Sequence, residues 1–198
     1  MVYVGKLYVI MGKSASGKDT LYRLFMERHP KLRPVVPYTT RPIRAGEQEG
    51  REYYFTTEER MRRMEAERRV VECRRYETVK GPWFYFTADD GQIDLEQASS
   101  CLISTLEGFL RIRDFYGAEN VIPLYIAAED FVRLERSLAR ERQQGNPCAA
   151  EVCRRFLADE EDFSEEKLIR AGITDSIMNH ELEGALEKIE KIFDLYGR

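Results

Sequence analysis

The chain has 198 residues, of which 43% are hydrophobic and 33% charged, with a formal net charge of -4. A chain of this length buries enough surface to fold without disulfide or metal support, and its balance excludes a disordered or membrane-embedded protein. No apolar run approaches the ~18 residues of a spanning helix, and a pI of about 5.5 argues against a basic nucleic-acid binder. The N-terminal stretch MVYVGKLYVIMGKSASGK reads as a first strand feeding a glycine-rich loop, not as a secretory signal. Leu7 to Met11 is a continuous apolar run, as in a strand buried on both faces. Leu21, Leu24, Phe25 and Arg28 follow with helical spacing, and Pro30 ends that helix. Residues 34–88 are rich in Arg, Tyr, Thr and Glu, with strand-like runs at Tyr53–Thr57 and Val70–Glu72, and read as a small mixed subdomain. Strand and helix then alternate: Cys101–Ser104 and Leu106–Phe115, Val121–Ala127 and Glu129–Gln143, Asp175–Met178 and Glu181–Leu195. A turn-rich break, QQGNPCAA, spans 143–150. This alternation predicts one α/β domain with a parallel sheet and right-handed crossovers.

Cys73, Cys101, Cys148 and Cys153 lack zinc-type spacing and read as reduced thiols of a cytoplasmic protein. The arginines from Arg60 to Arg75 are interleaved with Glu58, Glu59, Glu65 and Glu67, which suits a solvated helical face rather than an RNA patch.

Gly12-Lys13-Ser14-Ala15-Ser16-Gly17-Lys18 matches G-x-x-x-x-G-K, with a strand before it and a helix after it. Glycines let the backbone curl so that several N–H groups face one phosphate. The following helix turns its positive end toward the same anion. Lys18 is placed to reach the β and γ phosphates of ATP. Such loops usually end in Ser or Thr, whose hydroxyl holds magnesium. Here Asp19 takes that place and Thr20 follows. A carboxylate is a hard oxygen ligand, so Asp19 is the candidate magnesium ligand; complementing the helix terminus is its other reading.

The second informative stretch is YTTRPIRAGEQEGREYYF, from Tyr38 to Phe55. Thr39, Thr40, Arg41, Arg44, Gly46, Glu47, Gly50 and Tyr53 fall in register with S-x-T-T-R-x-P-R-x-G-E-x-x-G-x-x-Y. Together with the loop, this segment resembles the guanylate kinase family. The resemblance implies a P-loop NTPase-type parallel sheet flanked by helices, a small mixed acceptor-binding subdomain and a helical lid. In this sequence the core would be 1–33, 89–135 and 165–198, the nucleoside-monophosphate-binding region 34–88 and the lid 136–164.

The resemblance also implies transfer of the ATP γ-phosphoryl group to GMP, giving ADP and GDP. Arg41 and Arg44 can grip one phosphate with forked, charge-assisted hydrogen bonds, and Tyr53 can add a phenolic donor. By resemblance, Glu72 reads the N–H edge of guanine, Tyr85 meets the acceptor phosphate, and Thr87 and Thr105 lie near the base. Arg140, with Arg136 close behind, and Arg155 match the lid arginines. Asn179 matches the asparagine near the donor nucleotide. No histidine role is expected for His29 or His180.

Some family residues are missing. Ile103-Ser104-Thr105-Leu106-Glu107-Gly108 stands where D-x-D-x-Q-G is usual, and Pro37 replaces a base-contacting serine. The pairing of G-K-D with a strand lacking its aspartate resembles the ribose 1,5-bisphosphate phosphokinases, which supply one alternative. A non-catalytic guanylate-kinase-like binding module is another, and the intact Gly12, Gly17 and Lys18 argue against it. The expected partners are small-molecule nucleotides, with no nucleic acid and no membrane, on a monomer or homodimer.

Overall fold

A computed structural model of the protein describes residues 4–44, 46–78 and 81–197. Strand β1, Leu7–Met11, is buried along its whole length. Alternation sends Leu7, Val9 and Met11 to one side, against Phe109 and Ile112. Tyr8 and Ile10 go to the other, against Leu21, Phe25, Leu186 and Ile189. This two-sided burial is why the run is apolar without a break.

After β1 come α1 (Lys18–Arg28), β2 (Arg33–Pro34), β3 (Tyr38–Thr39), β4 (Tyr54–Phe55), α2 (Glu58–Ala66), β5 (Val70–Tyr76) and β6 (Trp83–Ala88). Then follow β7 (Ser100–Ile103), α3 (Leu106–Tyr116), β8 (Val121–Ala127), α4 (Asp130–Arg142), α5 (Ala149–Asp162), α6 (Glu165–Arg170), β9 (Ile177–Met178) and α7 (Leu182–Tyr196). The core sheet has the order β2-β7-β1-β8-β9, and its pairs are parallel. Helices cover both faces, as the alternating pattern predicts.

A second sheet has the order β4-β3-β6-β5 and mixes parallel with antiparallel pairs. Tyr38, Phe84, Phe86, Met61 and Met64 form its own small core under α2. The Thr57 hydroxyl caps α2 by accepting the Arg60 N–H at 3.2 Å. The chain leaves the core sheet from β2 and returns on β7, and these are adjacent strands. The Val35 N–H still donates to the Cys101 carbonyl, at 3.0 Å, as the chain departs.

The structure differs from the sequence expectation in several places. Strand β5 runs on to Tyr76, past Glu72, because it is an edge strand and tolerates charges such as Arg74 and Arg75. Trp83–Ala88 forms an inner strand of the mixed sheet, with Phe84 and Phe86 turned to the core. The strand expected over Tyr53–Thr57 shortens to Tyr54–Phe55, and that over Asp175–Met178 to Ile177–Met178. The break after Arg142 separates α4 from α5, and these two helices pack on each other. Among the described residues, no helix is long and apolar enough to cross a membrane.

Candidate active site

The loop between β1 and α1 is held from several sides. An alanine methyl at Gly12 would sit 2.3 Å from the Ile126 carbonyl oxygen, so only glycine lets the loop pass β8 here. Gly17 has φ +87°, and a methyl there would meet Asn179 Nδ2 at 2.3 Å. Asn179 is buried beneath the loop and donates Nδ2–H to the Ser16 carbonyl at 2.7 Å. Its own N–H donates to Ala127, so the β8–β9 pairing fixes its place. Ala15 is left-handed at φ +59° without being glycine.

A cavity of about 310 Å³ opens on this loop, with Ala15, Gly17, Lys18, Asp19, Arg136 and Arg140 in its wall. Ser14 and Thr20 also border it. Lys13 points elsewhere and pairs with Glu160, while Ser16 is fully buried. Arg136 Nη1 donates to the Ala15 carbonyl at 3.4 Å. Lys18 Nζ lies 3.8 Å from Asp19 Oδ2. The Asp19 side chain is 78% exposed, in the first turn of α1. An exposed carboxylate at the rim of this cavity has the right chemistry for a hydrated divalent cation. Arg155 pairs with Glu151 one turn back on α5, at 2.7 Å, and borders a small adjacent cleft with Arg140 and Ser14.

A second cationic centre lies in the mixed sheet. Arg41 is 4% exposed. Its Nη1 and Nη2 donate to the two Glu47 oxygens at 2.7 and 2.6 Å, and its guanidinium lies over the Tyr53 ring at 5.0 Å. Glu47 also accepts the Arg44 backbone N–H at 2.8 Å. Tyr53 meets Tyr85 edge-on, with ring centroids 5.5 Å apart. Burial raises the Tyr53 phenol, which keeps it a neutral donor. Among the described residues, Arg41 Nε is buried without a hydrogen-bond partner. The Glu47 carboxylate, with the Tyr85 hydroxyl behind it, holds the Arg41 guanidinium in its charged form.

The Arg41 guanidinium holds the Glu47 carboxyl down, to about 2 from 4.5, with the Arg44 N–H helping against the opposing effect of burial. The folded pKa lies below the unfolded one. Glu47 therefore contributes stability above about pH 4.5, and that contribution is lost as pH falls toward 2. We expect the urea midpoint of the wild type to fall more steeply than that of Glu47→Gln across this interval. Parallel slopes would show that the pair contributes nothing on folding.

Glu72 sits on β5 and is 4% exposed. Thr87 donates its hydroxyl to Glu72 Oε1 at 2.9 Å. Arg74 Nε lies 3.3 Å from Glu72 Oε2. Glu72 Oε2, Arg74 Nε and Ser104 Oγ are all buried without a hydrogen-bond partner among the described residues. Thr105 caps α3 by accepting the Gly108 N–H at 3.2 Å, and it borders a cavity of about 580 Å³ together with Arg74.

The guanylate kinase family model matches residues 4–196. The chain belongs to the guanylate kinase family. It is 28% identical to a guanylate kinase of Nostoc sp., covering 94% of this chain and 88% of that protein. It is 30% identical to a guanylate kinase of Synechococcus sp., covering 95% and 82%. A crystal structure of guanylate kinase from Anaplasma phagocytophilum shares the fold, with a TM-score of 0.65 at 22% identity over 98% of this chain and 86% of that one.

Within this family member the structure gives contacts to Glu47 and Arg136, which motif reading named without them, and adds Arg74, which it passed over. Glu47 orients Arg41 and fixes the Arg44 backbone. Arg136 touches the loop directly, through the Ala15 carbonyl. Arg74 occupies the carboxylate expected to read the base. The Gly46-Glu47 pair and the R-x-x-x-R spacing of Arg136 and Arg140 signal the first two only as motif members; the Arg74 contact depends on β5 extending past Glu72.

Proposed function

We propose that this kinase moves the γ-phosphoryl group of magnesium-bound ATP onto GMP, giving ADP and GDP. The observation that carries this reading is the pair of cationic centres. One is a cavity on the Gly12–Lys18 loop, faced by Lys18, Arg136 and Arg140. The other is Arg41, held charged by Glu47 and backed by Tyr53 and Tyr85. Phosphoryl transfer needs little covalent help and much positioning and positive charge.

In this reading Lys18 and the loop amides hold the donor phosphates. Asn179 acts from beneath, by holding the Ser16 carbonyl. Arg41, Arg44, Tyr53 and Tyr85 hold the acceptor phosphate, and Glu72 with Thr87 and Thr105 faces the base. Arg140 and Arg155 cover the transferred group and exclude water. Asp19 would hold the magnesium ion, which supplies neutralising charge to the phosphates when bound. The acceptor phosphate oxygen is already ionised at neutral pH, so no general base is required.

An ADP-release assay with GMP, dGMP, AMP, UMP, ribose 1,5-bisphosphate and no acceptor tests the reading. Turnover confined to GMP and dGMP supports it. Turnover confined to ribose 1,5-bisphosphate overturns it. One observation favours that second acceptor: Glu72 already has Thr87 and Arg74 as partners, and a sugar phosphate makes no demand on it.

If guanine is read, its N–H groups compete with the Arg74 charge for Glu72, whose Oε2 accepts no hydrogen bond among the described residues. Arg74→Ala then lowers the KM for GMP about three- to fivefold, the worth of a partly exposed ion pair, and leaves kcat unchanged. A higher KM would mean that Arg74 contacts the base itself.

A further inference from the structure

A cluster of charges around one buried arginine lies beside the phosphate cavity. Arg133, on α4, is 1% exposed. Its Nη1 donates to Asp130 and to Glu160, each at 2.8 Å, and its Nη2 to Asp159 at 3.2 Å. Its Nε donates to the Ser14 carbonyl at 3.2 Å, and its guanidinium lies over the Phe156 ring at 4.8 Å. Asp159 also accepts the Ser14 N–H at 2.7 Å, and Glu160 pairs with Lys13. Both backbone groups of Ser14, in the middle of the phosphate loop, are thus held by side chains of α4 and α5.

Burying the Arg133 guanidinium costs desolvation, and a well-packed apolar residue of similar volume is often as stable. Stability alone therefore gives no reason for this cluster. Register does. Arg133, Arg136 and Arg140 recur at i, i+3 and i+7, so they share one face of α4. Fixing the first fixes where the other two point. Arg136 reaches the Ala15 carbonyl, and both Arg136 and Arg140 face the loop cavity. That cavity stays open while the cluster is formed, and neither Asp159 nor Glu160 borders it.

We propose that Arg133, Asp159 and Glu160 form a clasp that aims Arg136 and Arg140 at the transferred phosphoryl group. The phosphate loop and the base of the α4–α5 hairpin are one assembled unit before any nucleotide arrives. Arg133 is a positioning residue and never meets the substrate. The part concerning Arg136 and Arg140 rests on the kinase reading above; the clasp itself does not.

The decisive measurement is amide exchange by NMR on the nucleotide-free protein. The Ser14 amide is expected to be protected in the wild type. In Arg133→Met it exchanges at least about tenfold faster, while Val9 and Ile10 in β1 do not change. A freely exchanging Ser14 amide in the wild type, or no change in the variant, overturns the clasp. Asp159→Ala removes the acceptor but leaves Arg133 with Asp130 and Glu160. It must give the same result, and it decides the matter should Arg133→Met not fold.

Kinetics then test the aiming. Arg133→Met is expected to lower kcat about tenfold with the acceptor KM within about twofold, the pattern of a misplaced group. In an Arg136→Ala/Arg140→Ala background the same change costs less than about twofold, because nothing is left to aim. A full additive loss overturns the positioning role. A wild type silent on every acceptor would sink the kinase reading and leave the exchange result to judge the clasp.

Discussion

Lys18→Met is expected to lower kcat by about 10²- to 10³-fold, the usual cost of removing one preorganised charge from a site where negative charge develops. The melting temperature should stay close to the wild-type value. Among the described residues Lys18 makes one charge contact, to an Asp19 that is 78% exposed, at 3.8 Å. Such a contact contributes little on folding. Its side chain stands instead in the wall of the loop cavity. Lys18→Arg is not expected to rescue turnover, because a planar fork does not replace a compact ammonium at a site shaped around one point charge. Turnover within about tenfold of wild type in Lys18→Met would remove the loop from the chemistry.

Arg41→Met is expected to damage stability and turnover together, and the two losses can be separated. The substitution leaves the Glu47 carboxylate, 17% exposed, without the guanidinium that chelates it. Stranding a charge in that way costs about 3 kcal/mol, read as a lower urea midpoint. Replacing Glu47 with leucine in the same protein removes the stranded charge and restores most of the midpoint. Turnover on GMP stays at least about 10²-fold low in that double variant, because the acceptor phosphate has lost its charge-assisted donor. Recovery of turnover along with stability would make Arg41 a scaffold residue only.

Much of this site is legible before folding, because its most informative parts are contiguous. The loop Gly12–Lys18 needs a strand on one side and a helix on the other, and both follow from local apolar patterning. The Tyr38–Phe55 segment carries Arg41, its aiming carboxylate Glu47 and its Tyr53 platform within a short stretch. What escapes a linear reading is set by tertiary distance. Arg133 meets Ser14 across 119 positions and Asp159 across 26, so no local spacing announces the clasp. Each member looks alone like one more charge on a solvated helix. Strand β5 escapes for a different reason. Charges normally end a strand pattern, but at a sheet edge Arg74 and Arg75 remain compatible with pairing to β6. With that extension missed, the contact between Arg74 and Glu72 is invisible.

The excursion that carries Arg41, Glu47, Tyr53 and Glu72 departs from β2 and rejoins at β7, and the two strands are paired neighbours. The phosphate loop and the arginines of α4 lie outside it, and its aromatic core is its own. A cut at each end would therefore open two bonds that lie side by side, much as a cassette is lifted from its slot. The slot is not bare: Val35, Val71, Ile93 and Leu95 pack into the same apolar cluster as Phe109 and Ile112 of α3, so any replacement of the excursion has to fit that surface.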